Sequence, residues 1–152
     1  MDDASLNYSD GRQSEVALKI QRGATRQLIN AGYSCLSEIS LPNARRADLI
    51  CLHQDGHILI VEIKSSKQDY QVDQKWPEYK DYCDKFCFAT HMEMDFELFP
   101  PEEGLLICDA YGGEFIRAPE GEKLSAARRK VIYQRMITQA AKRFHRLIDP
   151  KI

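Results

Sequence analysis

No stretch of the 152-residue chain approaches the ~20 consecutive apolar residues of a membrane span. There is no glycine-rich phosphate loop, no internal repeat and no low-complexity tract. The opening Met1-Asp2-Asp3-Ala4-Ser5 lacks both the basic stretch and the apolar stretch of a secretory signal. Cysteine is sparse and odd in number: Cys35, Cys51, Cys83, Cys87 and Cys108. An odd count without paired short spacings excludes a disulfide framework. Cys83 and Cys87 are four apart, but no second close pair completes a zinc site. The five read as free thiols buried as small hydrophobes, and the expected compartment is the cytoplasm.

What is present is ordinary for a globular protein, at 43% hydrophobic and 29% charged residues. That composition excludes a fully disordered chain. The length predicts one domain over residues 1–152, able to bury roughly two-thirds of its unfolded surface. The net charge of -2 hides an asymmetry. Residues 1–121 carry 12 Lys/Arg against 21 Asp/Glu, whereas residues 122–152 carry 9 against 2. The basic tail reads either as a nucleic-acid contact or as the solvated face of a helix.

Residues 1–13 are polar and expected to be loose. Val16, Ile20, Gly23, Ala24, Gln27 and Leu28 share a helical face over about 14–31, with Ser14 as N-cap and Gly32 as stop. Alternation over 33–41 predicts a strand, with Tyr33, Cys35, Ile39 and Leu41 on one face and Leu36 and Glu38 on the other. Strands follow at 47–52 and 58–63, the latter apolar on both faces and so central in its sheet. Pro77 and the spacing of Trp76, Tyr79, Tyr82 and Cys83 predict a helix over about 74–84. Short strands are expected at 86–89, 105–108 and 114–117, with 93–98 as an edge strand or an ordered loop. Residues 124–147 predict one basic amphipathic helix, docked through Leu124, Ala127, Val131, Ala141, Phe144 and Ile148.

Chemistry concentrates in Arg45-Arg46-Ala47-Asp48-Leu49 and Val61-Glu62-Ile63-Lys64-Ser65-Ser66. The chain has four acid-x-Lys triplets, but only Glu62/Lys64 falls on a predicted strand, where residues two apart point the same way. Two charges at the end of a buried strand are costly unless paired or functional. Asp48 lies on the hairpin partner. A two-residue Asp55-Gly56 turn would set it against Ile63. A three-residue Gln54-Asp55-Gly56 loop, with Gly56 in the left-handed position, sets it opposite Glu62. Two carboxylates that close need a cation between them, and oxygen ligands suit Mg²⁺ or Mn²⁺. The structural alternative is an ion pair, Glu62–Lys64 or Asp48–Arg46. In the same register His53 and His57 face each other, and as a pair without a third ligand they read as structural. Trp76 reads as core packing or as a stacking platform for a base.

The order helix, three-strand meander with Asp on the second strand and Glu-x-Lys on the third, helix, strand resembles the restriction-endonuclease-like core of the PD-(D/E)XK nuclease superfamily. More narrowly, Arg-Arg-Ala-Asp-Leu, Val-Glu-Ile-Lys-Ser-Ser, Asp73-x-Lys75-Trp76-Pro77-x-Tyr79, Phe88-Ala89 and Asp149-Pro150 resemble the MmcB-type DNA repair endonucleases of bacteria. The resemblance runs from about Arg22 to Pro150. It implies an α/β fold with a mixed central sheet flanked by helices. It also implies Mg²⁺- or Mn²⁺-dependent hydrolysis of DNA in repair, with DNA as partner. Asp48 and Glu62 resemble the superfamily's metal ligands, with the Ile63 carbonyl as a third, and Lys64 its catalytic lysine. Members add an acid, for which Glu15 and Glu38 are the candidates. Some place Gln and Tyr four apart on the second helix, where this chain has Lys75 and Tyr79. Arg45, Arg46, Lys75, Arg128, Arg129 and Lys130 are the expected DNA contacts. The alternatives are a nuclease-fold DNA-binding accessory that does not cut and a protein-interaction module without a nucleic-acid role.

Overall fold

The computed structural model describes residues 14–151, so the expectation for residues 1–13 lies outside the described residues. Six strands form one mixed sheet in sequence order. They are β1 (Tyr33–Ser40), β2 (Arg46–His53), β3 (Ile58–Ile63), β4 (Lys85–Thr90), β5 (Gly104–Cys108) and β6 (Gly113–Arg117). The first three pair antiparallel as a meander, β3–β4–β5 pair parallel, and β6 returns antiparallel at the edge. Every residue of β3 is buried, as its unbroken apolar run requires.

Helix α1 (Glu15–Asn30) covers one face of the sheet through Ile20, Ala24 and Leu28. Ser14 caps it by accepting from the Ala17 amide at 3.0 Å. Gly23 lets the helix approach the β5–β6 connection, since a Cβ there would lie 1.8 Å from the Asp109 carbonyl oxygen. The other face is covered by α2 (Lys67–Val72), a 3₁₀ helix (Trp76–Tyr82) and the long α3 (Ala126–Ile148).

The hairpin uses the three-residue loop. Leu49 pairs with Val61 and Leu52 with Ile58, the His53 amide donates to the His57 carbonyl, and Gly56 takes φ 97°. Carried one step beyond Leu49–Val61, this register sets Asp48 opposite Glu62.

Four expectations are corrected or resolved. The helix over 74–84 is instead a 3₁₀ helix (Trp76–Tyr82), separated by a break at 73–75 from α2, which ends at Val72. Trp76, Tyr79 and Tyr82 are three apart, which matches three residues per turn, and Asp73 accepts from the Lys75 amide at the break. Second, of the two readings of 93–98 the structure takes the ordered loop, which carries a 3₁₀ helix (Phe96–Leu98), and not the edge strand. Third, β1 does not keep one face throughout. Tyr33 and Cys35 pack toward α1, but Ile39 and Leu41 join the opposite cluster. Glu38, at φ 52°, interrupts the alternation.

Fourth, α3 docks through a different stripe. Ile132 and Met136 are buried, whereas Val131, Phe144 and Ile148 are exposed. Apolar residues occupy two faces of this helix. Its rotation is set by long-range polar contacts: Arg129 to Asp84, Tyr133 to the Gly56 carbonyl, Arg135 to the Ser40 carbonyl and Arg143 to the Glu38 carbonyl. Cys51, Cys83, Cys87 and Cys108 are buried free thiols and Cys35 is half-buried. No helix among the described residues is long and apolar enough to cross a membrane.

Candidate functional site

The start of β2 and the end of β3 meet at one end of the sheet. Asp48, Glu62, Ile63 and Lys64 line a cleft there of about 240 Å³, together with Arg46, Asp69, Asp73 and Tyr79. Asp48 Oδ2 accepts from the Ile63 amide at 2.8 Å, and Glu62 Oε1 accepts from the Asp48 amide at 3.4 Å. Each carboxylate is thus oriented by the strand that carries the other.

Glu62 is 5% exposed. Burial, reinforced by the charge of Asp48, pushes its carboxyl well above the usual range. Asp48 is raised as well, chiefly by burial. Lys64 is 3% exposed, and among the described residues its ammonium makes no hydrogen bond or ion pair. Its charge nevertheless lowers the pKa of both acids. Among the described residues neither Glu62 nor Asp48 forms an ion pair with Lys64 or Arg46, so the ion-pair alternatives do not describe this site. Arg46 pairs instead with Glu38, at 3.5 Å.

The Asp48 and Glu62 carboxylates on a solvent-reached cleft suit a hard divalent cation, which would offset both the burial of the two charges and the Asp48 charge that helps to raise Glu62. The sign of the pH dependence follows. A carboxyl whose folded pKa exceeds its unfolded value binds more protons when folded, so stability falls as pH rises between the two. The metal-free protein is expected to lose stability through this pair as pH rises, and Glu62→Gln to remove much of that loss. Urea midpoints of both proteins, compared between about pH 5 and pH 8, check it, because the advantage of the Gln variant should grow with pH.

The other expected site residues are scattered. Glu15 lies at the exposed start of α1, paired with Lys19, and Glu38 faces Arg46 beside α3; neither lines the cleft. Arg45 is held by Glu78 at 3.0 Å and ties the β1–β2 turn to the 3₁₀ helix. Lys75 is exposed and outside the cleft lining. Trp76 stacks on Phe86 at 5.6 Å, which is core packing. Arg128 binds the Asp81 carbonyl over the Tyr82 ring, at the hairpin end of the sheet, and Lys130 lies on the same turn of α3. Arg129 does not face a ligand at all: it spans both oxygens of Asp84 at 2.6 and 2.7 Å inside the fold.

Sequence reasoning missed Asp69, Asp73 and the position of Tyr79. Asp69 accepts from the Ser65 amide at 2.9 Å while its own amide donates to Ser66 Oγ. The Ser66-x-x-Asp69 capping pattern was a readable signal for α2. Tyr79 donates to the Arg46 carbonyl at 3.0 Å, and burial together with Glu62 and Asp48 raises its pKa, keeping it neutral. At the opposite end of the sheet, His53, Asp55 and His57 each bring one ligand atom within 4.8 Å of the others.

A solved protein of unknown function from Silicibacter pomeroyi is 39% identical, with a TM-score of 0.87 over 91% of this chain and 95% of that one. No curated protein matches the chain in sequence. The family described as DNA repair protein MmcB-like matches residues 4–151. With nearly its whole length matched, the chain belongs to the MmcB-like family, whose name places it in DNA repair.

Proposed function

We propose that the protein is a metal-dependent DNA endonuclease of the PD-(D/E)XK type acting in repair. The observation that carries the reading is the Asp48–Glu62 pair facing across β2 and β3, with the buried Lys64 ammonium, which has no hydrogen bond or ion pair among the described residues, lining the same cleft. Asp48, Glu62 and the Ile63 carbonyl would hold Mg²⁺ or Mn²⁺. When bound, such an ion supplies Lewis-acid stabilisation of a phosphoryl oxygen and lowers the pKa of water. Lys64 presents a desolvated ammonium to the charge that grows on the phosphate. The Arg46 guanidinium, at the cleft rim, meets a flanking phosphate. Tyr79 fixes the start of β2 through the Arg46 carbonyl and stays protonated beside the acids.

The test is a panel of labelled single-stranded, duplex and branched DNAs incubated with Mn²⁺. Wild type is expected to cut at least one, and Asp48→Ala none. Binding without cutting would leave the accessory reading; neither would leave the protein-interaction reading.

The placement of cations adds a prediction. Arg46→Gln is expected to weaken binding to all DNA sequences and to reduce the salt slope by about one counterion. Arg128→Gln with Lys130→Gln, at the far end of the sheet, is expected to change neither. Fluorescence anisotropy over a salt series measures both. Equal losses in the two variants would mean that DNA follows the whole of α3 rather than the cleft.

A further inference from the structure

We propose that His53 Nδ1, Asp55 Oδ1 and His57 Nδ1 bind one Zn²⁺-class divalent ion at the tip of the β2–β3 hairpin. This is a second metal site, chemically unlike the carboxylate cleft and about five residues, roughly 17 Å, along β2 from Asp48.

The hairpin places the three ligands. His53 and His57 flank the loop as a cross-strand pair, and Asp55 is the middle residue of that loop. The Asp55 side chain accepts from the His57 amide at 2.9 Å and so turns back over the two rings. Its Oδ1 lies 3.2 Å from His53 Nδ1 and 2.7 Å from His57 Nδ1. Ligand atoms around a tetrahedral ion with bonds of ~2.0–2.1 Å stand roughly 3.3 Å apart, so Asp55 Oδ1 is already near ligand spacing from both nitrogens, and all three ligand atoms lie within 4.8 Å of one another. The imidazoles are stacked with centroids 4.7 Å apart, and rotation about the soft χ2 torsion turns both lone pairs toward one point.

The outer nitrogens are already held as those of metal-binding histidines are. His53 Nε2 lies 3.2 Å from the Ala31 carbonyl, an acceptor only, so Nε2 carries the proton and donates it. Neutral His53 therefore keeps its Nδ1 lone pair on the inner side, where it accepts from the Asp55 amide at 3.2 Å and stands 3.2 Å from Asp55 Oδ1; an ion bound there would replace that long hydrogen bond. His57 Nε2 lies 2.7 Å from the Tyr33 hydroxyl, which both donates and accepts. Without metal, Nδ1–H of His57 donates to Asp55 and the Tyr33 O–H donates to Nε2. With metal, the proton moves to Nε2, which donates to the Tyr33 oxygen, and Nδ1 is free to ligate. This exchange moves protons only; aiming the two Nδ1 lone pairs at one point is the separate χ2 rotation.

Two imidazoles and one carboxylate favour zinc and its neighbours over Mg²⁺. Asp55 is well exposed, so water completes the coordination. Burial also holds the His57 pKa down, in the neutral form that binds metal.

The experiment titrates the metal-stripped full chain with Zn²⁺ and Mn²⁺ by calorimetry and with Co²⁺ by visible absorption. Circular dichroism confirms folding of each variant. Wild type and Asp48→Ala are expected to bind one equivalent of Zn²⁺. His57→Ala and Asp55→Asn should lose it, and Tyr33→Phe should weaken it about 10- to 100-fold by removing the partner of Nε2. The Tyr33→Phe arm keeps all three ligands and so remains informative if His57→Ala unfolds. No Zn²⁺ uptake by wild type, unchanged uptake by Asp55→Asn, or loss of uptake in Asp48→Ala would overturn the proposal. A thiolate-to-cobalt charge-transfer band would place the ion on cysteine and overturn it equally.

Discussion

Replacing Lys64 with alanine is expected to lower Mn²⁺-dependent DNA cleavage by about 10²- to 10³-fold, the usual cost of removing one preorganised group that stabilises developing oxyanion charge. The expectation rests on the placement of the ammonium. It is 3% exposed and, among the described residues, has no hydrogen bond or ion pair. A buried charge left that way costs several kcal/mol, and a purely structural residue at this position would be expected to be apolar or paired. Metal binding separates the roles. Lys64 electrostatically competes with a cation between Asp48 and Glu62, so Lys64→Ala should bind Mn²⁺ at least as tightly as wild type while failing to cut. Single-turnover cleavage and Mn²⁺ calorimetry on the same preparation read both. A rate within a fewfold of wild type would remove Lys64 from the mechanism; loss of metal binding would make it a support of the acids instead.

The second large effect lies far from the cleft. Asp84→Ala is expected to destabilise the protein by about 3–5 kcal/mol, as breaking one side of a buried ion pair does. That corresponds to a fall in Tm on the order of 10 °C. Asp84 is 6% exposed and accepts four bonds: from the Ile58 amide at 2.6 Å, the Leu124 amide at 2.8 Å, and Arg129 at 2.6 and 2.7 Å. It thereby joins the starts of β3 and β4 to the entry of α3. Burial alone would raise its pKa, but the guanidinium and the two amides outweigh that and hold it below the usual carboxylate range. A depressed folded pKa contributes stability that is complete above the unfolded value and is lost as pH falls through the folded one. Its pH trend therefore opposes that of Glu62. Urea unfolding of Asp84→Ala and of a double variant, Asp84→Leu with Arg129→Met, tests the pair. The double variant should recover much of the loss, because it leaves no buried charge unpartnered. A single-variant cost below about 1 kcal/mol would show the pair to behave as an exposed one.

Short-range order was legible from the residues. The residues narrowed the hairpin to two registers, and strand parity fixed that the three-residue one, which the structure adopts with Gly56 at φ 97°, sets Asp48 opposite Glu62. The unbroken apolar run of β3 marked the central strand, and Ser14 marked the start of α1. These features depend on neighbours within a few residues or across one tight turn. What only the tertiary structure decided involves partners far away in the chain. Apolar residues on two faces of α3 left its rotation open until Arg129 met Asp84, 45 residues away, and Arg143 met the Glu38 carbonyl, 105 away. That rotation turned Arg129 into the fold and set Arg128 and Lys130 at the hairpin end. Asp69 and Tyr79 reached the cleft only because α2 and the 3₁₀ helix fold back over β3 and β2. Asp55 became a third group beside the histidines because its loop amides bend its carboxylate inward. Periodicity specifies which residues of one element share a face. It does not specify which distant charge that face will meet, because that choice is made by burial and pairing across the whole core.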